Sequence, residues 1–219
     1  MILMMLRLSL FLIIWLVALK VVSQMPVTFE RFTTIQGLPQ NSIFSITQDA
    51  DGFIWVATYD GLSRFDGSHF YSHKPEPGSG SGLSSNITVS ISADHQHRIW
   101  IGTTGSGLSM FDTKTLRFEN FQANASETLA ISNNDILSIL PQGNRVWVGT
   151  ALGLNLFDIQ QSAFYSCFVN NGLVHNQINA LLETLDGQVW VATPAGIQRV
   201  GWHNGRFSFY ETISLEITG

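Results

Sequence analysis

The sequence predicts an all-β protein in which four units of four antiparallel strands follow one another along the chain. The first observation is a pentapeptide built on tryptophan that recurs at residues 54–58, 99–103, 146–150 and 189–193. The second is the spacing of these tryptophans, Trp55, Trp100, Trp147 and Trp190, which lie 43 to 47 residues apart. The third is a Gly-aliphatic pair shortly after each copy. Repeats of this length, with several short strands each, are typical of the blades of a β-propeller.

Other positions keep the same register around each tryptophan. An Asn opens an apolar stretch upstream in every unit: Asn41, Asn86, Asn134 and Asn176. We expect these Asn side chains to bond backbone groups in turns. We expect each Trp ring to fill the wedge between neighbouring sheets, where burial of a large aromatic contributes roughly 2 to 3 kcal/mol. All eight residues are therefore predicted to be structural anchors of the repeat.

The blade boundaries follow from the same register. The propeller repeats are predicted within residues 24–219, with blades at about 37–73, 82–121, 129–168 and 172–210. Within the first blade we expect strands at 42–48, 53–58, 62–65 and 69–73. Asp-Gly pairs between them suit tight hairpin turns, because Gly accepts a positive φ without strain.

One further segment, residues 27–35, resembles an outer strand that has no inner strands of its own. The fourth unit already supplies an outer strand of its own at 206–210. In propellers that close through an N-terminal strand, that strand completes the last blade. Residues 27–35 are therefore predicted to be an outer closing strand for a blade absent from this chain, which makes the chain an incomplete N-terminal part of a longer propeller. A closed ring of four blades stays open as the alternative.

The first 23 residues differ in character from the repeats. Residues 1–22 are almost entirely apolar, with Arg7 near the start and an apolar run from Leu8 to Leu19. A run of this length is short for a membrane span and typical of a secretory signal peptide. We predict a signal peptide over 1–23, with an uncleaved signal anchor as the alternative. In both cases the repeats are expected on the exported side, in the periplasm or at the extracytoplasmic face of the inner membrane.

Composition narrows the classes of partner. Charged residues make up 12% of the chain and the formal net charge is −5, without a cluster of Lys and Arg. Nucleic acid is therefore not expected as a partner, and a membrane only through the N-terminal segment if it is uncleaved. The single cysteine, Cys167, excludes an intramolecular disulfide.

Ligand binding is expected on the face that carries the loops between second and third strands and between blades, because loops on a rigid scaffold often hold binding residues. The candidates there are Tyr59, Asp60, Thr104 and Ser106. The competing interpretation is that Asp60 and Ser106 only serve their turns.

The sequence offers no catalytic constellation. Asp49 and Asp51 resemble the start of a calcium loop, but the remaining ligands of such a loop are missing. We predict no catalytic residues, no metal site, no cofactor and no enzymatic activity in this chain.

The repeat pattern resembles a known family. Gly-Leu-x-x-Asn-x-Ile-x-x-Ile, then Asp-x-x-Gly-x-Ile-Trp-Val-(Gly/Ala)-Thr, then Gly-Leu-x-x-Phe is similar to the two-component regulator propeller repeat, and 37–65 matches it best. The third unit lacks the usual Asp and Gly before Arg145, and the fourth ends in Val200 rather than Phe.

This resemblance implies the extracytoplasmic sensor region of a hybrid histidine kinase or a diguanylate cyclase. It also implies a propeller of about seven blades and a kinase or cyclase output beyond this chain. The expected partners are a small molecule or oligosaccharide ligand, and further blades from a longer chain or a homologous subunit. One alternative function is a stand-alone secreted propeller that binds a glycan or a protein. A propeller hydrolase or lyase is a weaker alternative, because it needs carboxylates or His clustered on the ligand face.

Overall fold

The computed structural model describes residues 28–75, 82–124, 126–127 and 129–214. Residues up to Phe32 form a unit of their own, whose described part, 28–32, contains no helix or strand. The predicted signal segment, residues 1–23, lies outside the described residues. Within the described residues, no helix is long and apolar enough to cross a membrane.

From Thr33 onward the chain forms four sheets of four antiparallel strands, each in sequence order from an inner to an outer strand. The first sheet consists of β1 (Ile43–Gln48), β2 (Ile54–Thr58), β3 (Gly61–Phe65) and β4 (Phe70–His73). The second consists of β5 (Thr88–Ala93), β6 (Arg98–Thr103), β7 (Leu108–Asp112) and β8 (Arg117–Phe121).

The third sheet consists of β9 (Ile136–Gln142), β10 (Arg145–Thr150), β11 (Gly153–Asp158) and β12 (Ala163–Cys167). The fourth consists of β13 (Ala180–Glu183), β14 (Val189–Thr193), β15 (Gly196–His203) and β16 (Arg206–Ser214). Short 3-10 helices occupy Thr34–Gln36 and Val169–Asn171. The prediction of an all-β propeller with blades of four antiparallel strands is confirmed.

Neighbouring sheets pack through small residues in their second strands. Gly102 lies against Ile136 of the next sheet, and Gly149 lies against Ile178 in the same way. A Cβ on Gly149 would lie 2.5 Å from Cγ2 of Ile178, so this contact leaves no room for a methyl group. The inner strands contact one another in the order β1, β5, β9 and β13.

The repeated tryptophans lie in these packed layers, with one difference among them. Trp55, Trp100 and Trp147 are buried, whereas Trp190 in the fourth sheet is only partly buried. The indole Nε1 of Trp55 and that of Trp100 donate to Asp49 and Asp94, at the start of their hairpins. In the third sheet, where this Asp is absent, the Oε1 atom of Gln142 accepts from Trp147 instead.

The predicted outer closing strand over 27–35 stays a prediction, because its partner would be a blade other than the four described here. Residues 28–33 form no strand, and a 3-10 helix begins at Thr34, capped by the Thr33 hydroxyl. The physical reason is that a strand needs a partner edge. Each of the four sheets already holds an outer strand from its own unit, namely β4, β8, β12 and β16.

Candidate functional site

The second and third strands of every sheet meet in a turn fixed by threonine. The Thr58 hydroxyl donates to the Gly61 carbonyl at 2.8 Å. The same bond recurs from Thr103 to Gly107, from Thr150 to Gly153 and from Thr193 to Gly196. The Thr of the pentapeptide therefore makes the loop tips of one face rigid.

A second set of bonds joins each of these turns to the next sheet. The Gly61 N–H donates to the Asn86 carbonyl at 2.7 Å, Gly107 donates to Asn134, and Gly153 donates to Asn176. The Asn side chains hold the incoming connection, because Oδ1 accepts a backbone N–H from Thr34 at Asn41, from Ala123 at Asn134 and from Val169 at Asn176. The turns and the starts of the inner strands thus form one continuous loop face.

The structure places Tyr59 and Asp60 together in the first turn of this face. The Tyr59 ring is 50% exposed and meets the Phe44 ring edge-on at 4.4 Å. Asp60 pairs with Lys74, and its N–H donates to the Thr58 hydroxyl. Tyr59 is thus an accessible aromatic surface, whereas Asp60 also serves its own turn and the adjacent connection.

Thr104 and Ser106 lie together in the corresponding turn of the second sheet. Thr104 is exposed, and its N–H donates to the Ile87 carbonyl. Ser106 is half-buried, and its carbonyl accepts from the Gln122 side chain. Both hydroxyls are on the loop face, but no contact joins this pair to Tyr59 and Asp60 among the described side chains.

Asp135 is a loop-face residue that the sequence reasoning missed. Its Oδ1 accepts the Gly105 N–H at 2.7 Å, and its carbonyl accepts from Ala151, so it joins the turns of the second and third sheets. The available signal was its position directly after the repeated Asn. In the other units this position holds Ser42, Ile87 and Gln177, none of which is acidic.

The opposite end of the sheets, where the first and second strands of each sheet are joined by a hairpin, also carries a concavity. A cavity of about 400 Å³ is lined by residues of the third and fourth sheets that include Trp147, Gln188, Arg199, Trp202, His203 and Tyr210. The four predicted ligand residues are not among its lining residues. Across the parts of the chain that the structure describes, no group of three or more His, Cys, Asp or Glu could hold a metal ion.

Comparison with known proteins identifies the repeat. The family described as two component regulator propeller matches residues 37–60 and 81–105. These two ranges are two component regulator propeller repeats. The resemblance found in the repeat pattern is thereby confirmed, and the matched ranges contain the first two tryptophan pentapeptides.

Solved structures extend the likeness over most of the chain. The extracellular domain of a hybrid two component system from B. thetaiotaomicron is 28% identical, with a TM-score of 0.73 over 83% of this chain and 26% of that one. A second such extracellular domain from B. thetaiotaomicron is 24% identical, with a TM-score of 0.64 over 81% of this chain and 22% of that one, and supports the fold alone.

A curated relative matches a shorter part. Histidine kinase P4 of Formosa agariphila is 50% identical over 50 residues, which is 22% of this chain and 4% of that protein. The chain therefore spans about a quarter of the solved extracellular domains and a small fraction of the kinase.

Proposed function

We propose that this chain is the extracytoplasmic, ligand-binding sensor module of a bacterial signal-transduction protein. The observation that carries the proposal is the 28% identity to the extracellular domain of a hybrid two component system over 83% of this chain. The output activity belongs to other parts of such a protein, and the four blades described here contribute no catalytic group to it.

We also propose that the four blades are part of a larger propeller, because both end sheets expose surfaces that are buried between the inner sheets. At the first end, Ile46 of β1 is 62% exposed, whereas Ile91 at the same register in β5 is 7% exposed. Ile43 at this end is also exposed. Its equivalents Ile136 and Ile178 instead pack against Gly102 and Gly149 of the preceding sheets.

The fourth sheet presents the complementary half of the same interface. Trp190 and Ala192 of β14 are partly exposed, whereas Trp55 and Ala57 at the same register are fully buried. Gly196 is the equivalent of Gly61, Gly107 and Gly153. The backbone N–H of each of those three glycines donates to an Asn carbonyl of the next sheet. Further blades of the same repeat, from a longer chain or a homologous subunit, fit both ends, since each end matches an interface that already recurs within the chain.

The proposed ligand is a small molecule or an oligosaccharide bound at the loop face. Tyr59 offers an exposed ring, Thr104 offers a hydroxyl, and Asp135 offers a half-buried carboxylate whose second oxygen is available to a hydroxyl. Aromatic rings with a few placed polar groups are usual in small-molecule sites. The fixed turns of this face keep such groups in position.

Two experiments test the proposal. Alkaline phosphatase fused after residue 219 is expected to be active in bacteria, since that enzyme matures only when exported, and deletion of residues 1–23 should abolish the activity. In a thermal-shift screen of oligosaccharides against the purified chain, Tyr59→Ala should abolish the shift given by a binding sugar, whereas Tyr71→Ala should not. A fusion that stays inactive contradicts export. Thermal shifts that Tyr59→Ala leaves unchanged contradict ligand binding at the loop face.

A further inference from the structure

The backbone that leads into the first sheet follows the same path as the connection from the third sheet to the fourth. In that connection β12 ends at Cys167, and the 3-10 helix Val169–Asn171 follows and ends at Gly172. Before the first sheet, the 3-10 helix Thr34–Gln36 ends at Gly37 in the same way. The two helices are equivalent, although no strand precedes the first one among the described residues.

Three kinds of hydrogen bond recur in both connections. The N–H of the glycine after each helix donates to the first helical carbonyl. The N–H of the next residue, Leu38 or Leu173, donates to the carbonyl of the residue before the helix, and both leucines are buried. The first helical N–H donates to Oδ1 of an Asn seven residues later, Asn41 or Asn176. The chain therefore enters the first sheet as it does when it leaves an outer strand.

Residues 28–32 stand where this alignment requires an outer strand. Thr33 and Phe168, the residues before the two helices, are both extended, with φ of −137° and −133°. Counting back from them places Phe29 at the position of Phe164. A Phe recurs at this position in the outer strand of every sheet: Phe70, Phe118, Phe164 and Phe209. Residues 28–32 thus have the sequence pattern of a fifth outer strand.

Phe29 differs from these four equivalents in its exposure. Its side chain is 93% exposed, whereas that of Phe164 is 4% exposed and those of the other three are partly buried. In β8 and β12 the equivalent ring contacts a Phe of the third strand, with ring centres 4.6 and 4.5 Å apart. Phe29 is therefore an apolar side chain whose equivalents are covered by a third strand.

The partner that fits residues 28–32 is a sheet with only three strands of its own. The outer edges of all four described sheets are already filled, by β4, β8, β12 and β16. A second copy of these four sheets therefore offers no third strand with a free edge. Since β12 belongs to the sheet next to the one that its connection enters, the accepting sheet lies next to the first sheet, on its open side.

The described sheets also indicate what Phe32 contacts after docking. The Phe32 position is held by His73 in β4 and by Phe121 in β8. These two rings stack on the tryptophans of their own sheets, Trp55 and Trp100, with ring centres 5.7 and 6.5 Å apart. Residues 28–32 thus carry an aromatic ring at the position that covers the repeated Trp of the accepting sheet.

We propose that residues 28–32 dock as the outer strand of a three-stranded sheet of the same repeat, which follows later in the same chain. The addition of a strand to a free sheet edge is a recurring mode of recognition, because main-chain hydrogen bonds supply affinity and alternate side chains supply specificity. The proposal rests on the larger propeller proposed above. It also decides between the two sources named there, because a second copy of these sheets has no edge to offer. Through the fixed connection at 33–41, the docked strand joins the first sheet to the last.

Hydrogen exchange followed by mass spectrometry tests the proposal on the product of the intact gene and on residues 24–219 alone. The amides of residues 28–32 are expected to exchange at least tenfold more slowly in the full product, because they are then bonded to the third strand. The amides of Ala163–Cys167, the equivalent outer strand, are the control and should be protected in both proteins. Equally fast exchange of residues 28–32 in both proteins would overturn the proposal, as would protection in residues 24–219 that increases with concentration.

Phe29→Ser provides a second measurement. It should lower the thermal midpoint of the full product by roughly 4 °C or more and leave that of residues 24–219 unchanged. Ile35→Ser is the matched control, because Ile35 is 90% exposed but lies in the 3-10 helix, and it should change neither protein. Equal effects of Phe29→Ser on the two proteins, or no effect on either, would contradict the docking.

These results are distinguishable from a failure of the proposed function. If the intact gene encodes further repeats and residues 28–32 still exchange fast, the docking is wrong and the larger propeller stands. If it encodes no further repeats, both are wrong. Export and ligand binding at Tyr59 are measured separately, by the fusion and the thermal-shift screen described above.

Discussion

The indole Nε1 of Trp55 donates a hydrogen bond of 2.7 Å to Oδ2 of Asp49, and both residues are buried. The other oxygen of Asp49 accepts the backbone N–H groups of Asp51 and Phe53, which close the hairpin between β1 and β2. One carboxylate therefore connects the turn to the aromatic layer between sheets. This explains why the first two units pair an Asp with a Trp six residues later.

Asp49→Ala is expected to lower the free energy of unfolding by about 1 to 3 kcal/mol, because it leaves the buried indole N–H without a partner. Chemical denaturation followed by tryptophan fluorescence measures the change. Asp60→Ala is the control, since Asp60 forms only an accessible ion pair with Lys74 and such pairs contribute about 0 to 1 kcal/mol. Equal stabilities of the two variants would contradict the role assigned to Asp49.

Gly149→Ala is expected to destabilise the contact between the third and fourth sheets. The added methyl group would lie 2.5 Å from Ile178, and such overpacking lowers the free energy of unfolding by about 1 to 3 kcal/mol. Ala192→Val adds two carbons at the same register of the fourth sheet, where the surface is only partly covered, and should change stability by less than about 0.5 kcal/mol. A thermal melt that shows the larger loss for Ala192→Val would refute this packing account.

His73 makes stability depend on pH. Its ring stacks on Trp55 and contacts Phe111, and burial, aided by the charge of Arg64, lowers its pKa below 6.5. The unfolded chain therefore binds a proton at His73 more readily than the folded chain. The stabilisation is present above pH 6.5 and is lost as the pH falls towards the folded pKa.

When the pH is lowered from 7.5 to 5.5, the urea midpoint should thus decrease by more in the wild type than in His73→Phe. This variant keeps the ring contacts and removes the proton site. His69→Gln, at a surface turn, serves as the control and should follow the wild type. Identical pH profiles of the wild type and His73→Phe would exclude His73 as the cause.

Cys167 should be unreactive while the sheets are folded. Its side chain is buried at the end of β12, and burial raises the pKa of the thiol to about 11. Since the thiolate is the reactive form, iodoacetamide at pH 8 is expected to label the chain slowly in buffer and rapidly in denaturant. Mass spectrometry measures the labelled fraction, and complete labelling of the native chain within minutes would contradict the packing of this strand.

The exposed ends of the blade set predict self-association of residues 24–219. Ile46 is 62% exposed on an inner strand whose equivalents are covered by a preceding sheet, and apolar edges of this kind promote aggregation. Sedimentation velocity should show concentration-dependent association that Ile46→Lys weakens. Leu116→Lys, at an exposed turn, is the control and should not weaken it. A concentration-independent monomer would argue for a self-sufficient ring.

The repeat pattern allowed most of the fold to be predicted, because a register that recurs four times assigns strands by comparison rather than by propensity alone. The pentapeptide placed β2, β6, β10 and β14 close to their observed bounds. Burial within a repeat could not be predicted in the same way. Trp190 lies between two valines as Trp147 does, but it is less buried because no further sheet covers the fourth one among the described residues.

The candidate sites were harder to predict from the sequence than the fold. Tyr59 and Thr104 were placed on the loop face by strand connectivity, whereas Asp135 became visible only through its bond to Gly105 in another sheet. The cavity at the hairpin end depends on how far β15 extends, which the repeat pattern does not encode.

The central claim is that these blades belong to a larger extracytoplasmic sensor, and the nucleotide sequence downstream of the Gly219 codon, read in all three frames, tests it most directly. The account predicts further Trp-Val-Gly-Thr repeats, followed by a membrane helix and a kinase or cyclase output. Unrelated sequence in all three frames, together with a stable monomer of this chain, would contradict it.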